Sequence, residues 1–187
     1  MADSSRPRVA MGIVKEYLQQ AHTLQRDAFV AIHPEPVLIR QKDVESMDPR
    51  NEYRSTLKMK VDPIKKEVRV EPFPPSPTDS VFPLGKSERN TFASKVLVGR
   101  TETNDLVIQH LTVSKHHAYF RIDPDSSLCE LVDTDSTNGT KLNGQTVAPK
   151  NPRELADGDQ LSFGDMRFTF YTAGGFFDLL RSLSALR

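Results

Sequence analysis

The sequence has one cysteine, no net charge and no long apolar run. Among its 187 residues, 25 Lys and Arg balance 25 Asp and Glu. The balance also holds along the chain, with 13 basic and 12 acidic residues in 1–80, and 12 and 13 in 81–187. Bulk nucleic-acid binding normally requires an excess of positive charge to displace phosphate counterions. The charge distribution therefore predicts no nucleic-acid partner and no basic face.

The lone cysteine, Cys129, excludes an internal disulfide and a cysteine-rich zinc site. No stretch approaches the roughly 20 apolar residues that span a bilayer, so no membrane partner is predicted. The first residues, MADSSRPRVAMGIV, lack the long apolar segment of a secretory signal. These features predict a reduced, cytoplasmic protein of ordinary globular composition, with 37% hydrophobic and 27% charged residues.

Catalytic signatures are also missing. The chain has no phosphate-binding loop ending in Lys-Ser/Thr, no GxGxxG before a helix, no HExxH and no GxSxG. His110, His116 and His117 lie close together, but no cysteine or carboxylate completes a usual metal-ligand spacing. Ser114 and His117 lack an obvious third member of a nucleophile–base set. We therefore predict neither an enzyme nor a cofactor or metal.

Proline and glycine divide the chain. Eight of the nine glycines lie at or after Gly85, and five of the thirteen prolines lie between Pro72 and Pro83. Proline favours extended backbone and removes hydrogen-bond donors, so residues 72–80 are predicted to form a linker. The linker separates an α+β region at 1–71 from a domain at 81–173, and an amphipathic helix is predicted at 174–187.

Upstream of the linker, apolar residues at helical spacing predict one helix that ends before Pro34. They are Val14, Tyr17, Leu18, Ala21, Leu24 and Ala28. A short strand is predicted at Val37–Arg40, and alternation predicts a hairpin through Leu57–Val61 and Val68–Val70.

Downstream of the linker, the pattern is mainly β. Short apolar strands are predicted at Val96–Val98, Leu106–Ile108, Ala118–Ile122, Leu128–Val132 and Arg167–Tyr171. Turn signals such as Asn138-Gly139 and Asn143-Gly144 separate them. Close spacing of short strands predicts a β-sandwich or barrel. After Gly174-Gly175, a helical apolar face follows through Phe176, Leu179, Leu180, Leu183 and Leu186.

Three polar groups follow or precede apolar strands. They are Gly99-Arg100, Ser114-Lys115-His116-His117 and Ser136-Thr137-Asn138-Gly139. Loops of a sandwich gather at its two ends, so these groups can meet at one end. A guanidinium, a hydroxyl, an ammonium and an amide together suit a phosphate monoester on a peptide.

The ordered set resembles the forkhead-associated (FHA) family of phosphothreonine-binding modules. The matching segments are VLVGRTETNDLVI, LTVSKHHAYF, LVDTDSTNGTKLNG and ELADGDQLSFG, which span residues 92–172 with their flanks. The resemblance implies an FHA-type β-sandwich whose loops at one end hold phosphothreonine. It covers none of the chain upstream of Val81.

The resemblance also implies roles for individual residues. Arg100 is expected to bond the phosphate, and Ser114 to bond it through its hydroxyl and its backbone. Lys115 stands where other members often carry Arg or Asn, and supplies charge without a guanidinium fork. Thr137 is expected to line the floor around the threonine methyl, and Asn138 to bond the ligand backbone. The remaining residues are expected to be architectural: Gly99, His117, Gly139, Asn143 and Gly144.

The family's preference for phosphothreonine over phosphoserine has a physical basis, because burying one methyl is worth about 0.8 kcal/mol. Residues 109–111 and Thr112 are plausible contacts to flanking ligand residues. Thr112 cannot form a salt bridge, so no selection of acidic residues is predicted.

We therefore predict a non-enzymatic, phosphothreonine-dependent adaptor in Ser/Thr-kinase signalling, with a phosphothreonine protein or a kinase as partner. An alternative is a phosphate-independent assembly protein that uses the sandwich face, or self-associates through the C-terminal helix. A second alternative places enzymatic activity in residues 1–80. Phosphorylated Thr23, Thr56 or, above all, Thr78 could also compete for the pocket within the chain.

Overall fold

The computed structural model describes residues 11–40, 59–61, 68–70, 74–88, 90–92, 94–123 and 128–185. Within them the chain forms fourteen short strands and three helices. The strands are β1 (Gly12–Ile13), β2 (Val37–Arg40), β3 (Met59–Val61), β4 (Val68–Val70), β5 (Ser80–Pro83), β6 (Val96–Gly99), β7 (Leu106–Val107), β8 (Ala118–Ile122), β9 (Cys129–Asp133), β10 (Thr140–Leu142), β11 (Gln145–Thr146), β12 (Arg153–Glu154), β13 (Gln160–Phe163) and β14 (Met166–Tyr171). The helices are α1 (Val14–Thr23), α2 (Arg26–Ile32) and α3 (Ala173–Ser184).

The strands form two large sheets and one small one. The first sheet has the order β1-β5-β2-β14-β13-β10-β11, and the second has the order β12-β9-β8-β6-β7. Neighbours are antiparallel except β6 and β7, which are parallel. The strands β3 and β4 pair as a separate antiparallel sheet, in agreement with the predicted strands, while Leu57 and residues 62–67 lie outside the described residues.

The two large sheets pack face to face over one apolar core. Phe120 of the second sheet contacts Phe163 of the first, with ring centroids 6.3 Å apart, and both side chains are fully buried. Leu131 from the second sheet and Phe168 from the first belong to the same core. This arrangement confirms the predicted β-sandwich.

The helices cover the outer face of the first sheet. Strand β2 alternates between the two faces, because Leu38 enters the sandwich core while Val37 and Ile39 enter the helical core. In α3, Phe176 packs edge-on against Tyr17 of α1, at 5.2 Å between centroids. The predicted C-terminal helix is therefore confirmed, and the described part of its apolar face is covered by the chain's own residues. Leu186 lies outside the described residues.

The helix predictions need two corrections. The single predicted N-terminal helix is divided into α1 and α2, because Leu24 and Gln25 are extended between them. Gly174 and Gly175 do not precede α3 but lie in its first turn, after the N-cap residue Thr172. A Cβ at Gly174 would meet the Arg26 guanidinium and a Cβ at Gly175 would meet the Asp157 carboxylate, so these side chains would have to move to admit a larger residue.

The N-terminal segment contributes directly to the sandwich. Strand β2 lies between β5 and β14 in the first sheet, so the strand predicted within 1–71 shares a sheet with strands of 81–173. Residues 76–79 form a turn whose carbonyls, at Pro77 and Asp79, accept hydrogen bonds from the first backbone N–H groups of α1. Residues 72–80 therefore do not mark a break between two separate sheets, and residues 72 and 73 lie outside the described part.

No helix in the described part of the chain is long and apolar enough to cross a bilayer.

Candidate functional site

One end of the sandwich collects the loops that carry the predicted polar residues. Strand β6 ends at Gly99, the segment 109–117 leads into β8, and residues 134–139 cross from β9 in the second sheet to β10 in the first. Asn138-Gly139 therefore lies in a connection between sheets, and not in a hairpin as its sequence alone favours. Arg100, Ser114, Thr137 and Asn138 converge here.

Arg100 lies at the edge of this end with its side chain exposed. Its backbone N–H donates to the Ser114 carbonyl at 2.9 Å, and its Nε donates to the Val113 carbonyl at 3.2 Å. These two bonds fix the base of the side chain and orient the guanidinium. Within the described ranges, no carboxylate lies within ion-pair distance of Arg100 or Lys115. Both cations are therefore available to an external anion.

The Ser114 hydroxyl joins two of the loops. It accepts a hydrogen bond from the Thr137 backbone N–H at 3.0 Å, and its Oγ lies 3.4 Å from Thr137 Oγ1. The backbone N–H of Ser114, however, donates to Nδ1 of His117 at 3.0 Å. The expectation that Ser114 binds phosphate through its backbone is therefore corrected, because that donor is already used.

A neighbouring backbone donor can replace it, and sequence reasoning missed it. The Lys115 N–H makes no hydrogen bond to any residue in the described segments, while the Lys115 carbonyl is held firmly. That carbonyl accepts from Thr101 Oγ1 at 2.9 Å and from Asn104 Nδ2 at 2.8 Å. Lys115 thus offers an exposed ammonium and a positioned N–H. No side-chain pattern signals a backbone donor, so only the fold identifies it.

Asn138 is exposed, and its amide nitrogen donates to the Thr112 carbonyl at 2.8 Å. This bond joins the 134–139 connection to the 109–113 loop and orients the Asn138 amide. Its oxygen remains available to accept a hydrogen bond from the backbone of a bound peptide.

Gly99 allows the loops to approach each other. A Cβ at this position would lie 2.3 Å from the Lys115 carbonyl oxygen and 2.8 Å from Asn104 Nδ2. These contacts are too short for any side chain, so the predicted packing role of Gly99 follows from the geometry.

His117 is the buried support of the site. Its side chain is fully buried, its Nδ1 accepts from Ser114, and its Nε2 lies 3.2 Å from the Gly139 carbonyl. Because a backbone N–H can only donate, Nδ1 is unprotonated and Nε2 carries the proton that binds Gly139. Burial lowers the pKa of His117, although the Gly139 carbonyl and the Asp133 carboxylate oppose this effect. The neutral imidazole thus joins the loop before β8, at Ser114, to the connection before β10, at Gly139.

Asp133 holds the 134–139 connection, and sequence reasoning also missed it. Its buried carboxylate accepts from the backbone N–H groups of Asp135 and Ser136, at 2.8 and 2.9 Å, and from the Ser136 and Thr140 hydroxyls. Burial raises the pKa of Asp133, but these four hydrogen bonds together outweigh it, and the pKa is lowered. The available signal was an aspartate that ends an apolar strand and is followed by hydroxyl residues.

Two of the expected architectural residues lie elsewhere. Strand β10 separates Gly139 from Asn143-Gly144, so these last two residues lie at the opposite end of the strand from the site. They form the two-residue β10–β11 hairpin, with φ of 51° and 81°. Asn143 also donates to the Asp159 carboxylate at 2.8 Å. Their placement around the site is therefore wrong, although their role as turn residues holds.

The three neighbouring histidines have separate partners. His110 contacts Thr112 Oγ1, His116 contacts Asn104 Oδ1, and His117 bridges Ser114 and Gly139. Among the described residues, no three His, Cys, Asp or Glu side chains are grouped to hold a metal ion. The loops at this end of the sandwich thus carry two exposed cations, Arg100 and Lys115, together with hydroxyl groups, and such groups are suited to binding an anion.

Comparison with known proteins shows which family this part of the chain is similar to. The FHA domain family matches residues 96–164. The oxoglutarate dehydrogenase inhibitor of Corynebacterium jeikeium is 39% identical over 72 residues, which cover 38% of this chain and 46% of that protein. The glycogen accumulation regulator GarA of Mycobacterium tuberculosis is 31% identical over 106 residues, covering 55% and 62% respectively. The chain thus spans about half the length of the first of these relatives.

Among solved structures, EmbR of Mycobacterium tuberculosis, in complex with a low-affinity phosphopeptide, is similar over 43% of this chain and 20% of its own. The identity there is 30% and the TM-score is 0.38. The match at residues 96–164 covers the strands and loops that carry the polar residues described above. Residues 96–164 of this chain therefore form an FHA domain.

Proposed function

We propose that this protein is a non-enzymatic adaptor that binds phosphothreonine-containing partners in Ser/Thr-kinase signalling. The proposal is supported above all by one observation: five polar residues lie together at one end of the FHA sandwich. They are Arg100, Ser114, Lys115, Thr137 and Asn138. The relatives named above are described as an inhibitor and a regulator, which agrees with a binding role for this chain. The proposal keeps the cytoplasmic location that the lone cysteine favours.

In this proposal each group has its own task. The Arg100 guanidinium and the Lys115 ammonium neutralise the phosphate dianion, while the Ser114 hydroxyl and the Lys115 N–H bond its oxygens. Thr137 Oγ1 lies 3.4 Å from Ser114 Oγ, and its proposed role is to line the floor around the ligand's threonine methyl. The Asn138 amide oxygen accepts from the ligand backbone. A short peptide with one anchor buries little area, so the expected affinity is on the order of micromolar, or about 8 kcal/mol.

Helix α3 bears on the assembly alternative. Phe176, Phe177 and Leu180 are buried against α1, α2 and the first sheet, so this apolar face is already used within the chain.

The intramolecular hypothesis concerns three threonines. Thr78 lies exposed in the turn before β5 and Thr23 lies at the end of α1, while Thr56 lies outside the described residues. We propose that phosphorylated Thr78 competes with external peptide for the pocket. If the protein phosphorylated at Thr78 binds a phosphothreonine peptide as tightly as the unmodified protein does, this proposal is refuted.

A phosphothreonine peptide array tests the main proposal. The array carries matched phosphothreonine, phosphoserine and unmodified threonine peptides, and is probed with the wild type and with Arg100→Ala. We expect binding only to phosphorylated peptides, with threonine preferred over serine. Arg100→Ala should weaken the binding free energy of the phosphothreonine peptide by about 1.5–3 kcal/mol, as is usual for the loss of hydrogen bonds to a charged group. Equal binding to unmodified peptides, or no loss in the variant, would refute the proposal.

A further inference from the structure

The sequence contains two Asn-Gly pairs, and the fold places only the first of them among the polar loops described above. Asn138-Gly139 lies in the connection between β9 and β10, and Asn143-Gly144 forms the hairpin between β10 and β11. Both asparagines are exposed, and a Cβ built on either glycine would meet no atom within 4 Å. Both pairs are therefore accessible to water, but their amides are held differently.

Asn143 is held by three hydrogen bonds. Its amide nitrogen donates to the Asp159 carboxylate at 2.8 Å, and its amide oxygen accepts from the Gln160 N–H at 2.9 Å. Its own backbone N–H donates to the Gln160 carbonyl at 2.8 Å. The Asn143 amide therefore cannot turn without breaking two side-chain hydrogen bonds.

Asn138 is held less firmly, because its side chain makes one hydrogen bond to the part of the chain that the structure describes. Its amide nitrogen donates to the Thr112 carbonyl at 2.8 Å. The Gly139 carbonyl is fixed by the Gly164 N–H at 3.1 Å, whereas the Gly139 N–H donates to no residue in the described ranges. Loss of one hydrogen bond therefore frees the Asn138 side chain to approach the Gly139 nitrogen.

An asparagine followed by glycine is open to attack by its own backbone, because glycine has no side chain to shield its nitrogen. The Gly139 nitrogen gives its proton to hydroxide and forms a bond to Cγ of Asn138. The bond from Cγ to Nδ2 breaks, ammonia leaves with a proton taken from water, and a five-membered succinimide ring remains. Water then opens the ring at either carbonyl, which yields aspartate or isoaspartate. The net reaction consumes one water and releases one ammonia, with no oxidant or reductant.

Either product places a carboxylate where the proposed function requires a neutral amide. The new charge lies among the loops that carry Arg100 and Lys115, so it competes with the phosphate for these cations and repels the phosphate dianion. Isoaspartate also lengthens the backbone by one methylene and displaces the connection before β10. Both products therefore act against phosphopeptide binding.

We propose that Asn138 is a site of spontaneous deamidation through attack by Gly139, and that this modification abolishes phosphopeptide binding. The effect on binding rests on the proposed phosphothreonine-binding function, whereas the reaction itself does not. A bound peptide whose backbone N–H donates to the Asn138 oxygen holds the amide by a second hydrogen bond, as Gln160 does at Asn143. Bound ligand therefore protects Asn138, and the modification accumulates in the unoccupied protein.

The reaction is tested by incubating the full-length protein at mildly alkaline pH, with and without a saturating phosphothreonine peptide. Mass spectrometry of proteolytic fragments follows the conversion of Asn138, with Asn143 in the same molecules as the internal control. Without peptide, Asn138 should convert about tenfold faster than Asn143, as one fewer amide hydrogen bond allows. Saturating peptide should slow the conversion of Asn138 toward the rate at Asn143.

The effect on binding is tested with Asn138→Asp, which imitates one product. The matched control is Gln145→Glu, which makes the same change from amide to carboxylate at an exposed residue of β11. Asn138→Asp should bind the phosphothreonine peptide at least about tenfold more weakly than the wild type, and Gln145→Glu should bind it equally well. If thermal unfolding shows that Asn138→Asp is not folded, deamidated protein separated by anion exchange provides the comparison.

Conversion of Asn138 no faster than that of Asn143 would overturn the modification site. Conversion at an undiminished rate with peptide bound, or binding by Asn138→Asp as tight as that of the wild type, would overturn its link to the ligand. A wild type that still prefers phosphorylated peptide leaves the adaptor function intact in each of these cases. Equal wild-type binding to phosphorylated and unmodified peptides would instead refute the adaptor function, while the conversion rates of the free protein still decide on deamidation.

Discussion

Replacing His117 by alanine should both destabilise the protein and weaken phosphopeptide binding. The imidazole holds together the loop before β8, through the Ser114 N–H at 3.0 Å, and the connection before β10, through the Gly139 carbonyl at 3.2 Å. It also packs edge-on against Phe163, with ring centroids 5.6 Å apart. Both residues that it joins flank the proposed phosphate position, so stability and binding are coupled here.

The magnitude follows from what the substitution leaves behind. Removing a partner from a buried polar group costs about 1–3 kcal/mol, and truncation of a buried ring adds a cavity cost. Partial hydration of the polar cavity offsets some of this, so we expect a loss of about 3 kcal/mol in the free energy of unfolding. For a chain of this size, that corresponds to a fall of roughly 6–12 °C in Tm.

His116→Ala is the matched control, because His116 precedes His117 directly but is exposed. Thermal unfolding and peptide titration of both variants provide the measurement. His116→Ala should change Tm by less than about 3 °C, as most surface substitutions do. The reasoning fails if the two variants unfold at similar temperatures, or if His117→Ala binds phosphopeptide as tightly as the wild type.

Three further predictions concern the support of the site. Because burial lowers the pKa of His117 in the folded state, the unfolded chain takes up a proton first as the pH falls below about 6.5. The contribution of His117 to stability should be constant above that pH and decrease below it. Denaturant midpoints measured between about pH 5 and 8 should therefore depend less on pH in His117→Gln than in the wild type, with His33 contributing a residual effect of the same sign. Gly99→Ala should lower the free energy of unfolding by about 1–3 kcal/mol, because the new methyl overpacks against the Lys115 carbonyl. A denaturation midpoint equal to that of the wild type would contradict this. Asp133→Asn should lower the free energy of unfolding by about 1–3 kcal/mol and weaken peptide binding, because a single amide oxygen cannot accept the four hydrogen bonds that the Asp133 carboxylate accepts. An unchanged peptide affinity in titration would show that the 134–139 connection does not depend on the Asp133 carboxylate.

The mainly β architecture was predictable from sequence because its strands are apolar and bounded by turn residues. The positions of β6, β8 and β14 agree with the predicted strands within one residue. Strand β10 was missed because its sequence, Thr-Lys-Leu, carries no apolar run, and it is defined by pairing with β13. The place of β2 was also unpredictable, because joining a sheet with β14 depends on contacts more than 120 positions away along the chain.

At the site, the side chains were predictable and their supports were only partly so. Arg100 and Asn138 are recognisable from their motifs, and the structure brings them to one end of the sandwich. The use of the Ser114 N–H by His117, and the availability of the Lys115 N–H, depend on backbone geometry that no residue type encodes. Asn143 was misplaced because a three-residue strand, β10, carries the chain to the other end of the sandwich.

The central claim is that a phosphate anion binds where Arg100, Ser114 and Lys115 meet. An amide NMR titration of isotopically labelled full-length protein with a phosphothreonine peptide tests it most directly. We predict the largest shift changes at Arg100, Lys115 and Thr137, with the Lys115 amide moving as its free N–H gains a partner, and no change with the unmodified peptide. Shifts centred instead on the Asn143-Gly144 hairpin, at the opposite end of β10, would contradict the account.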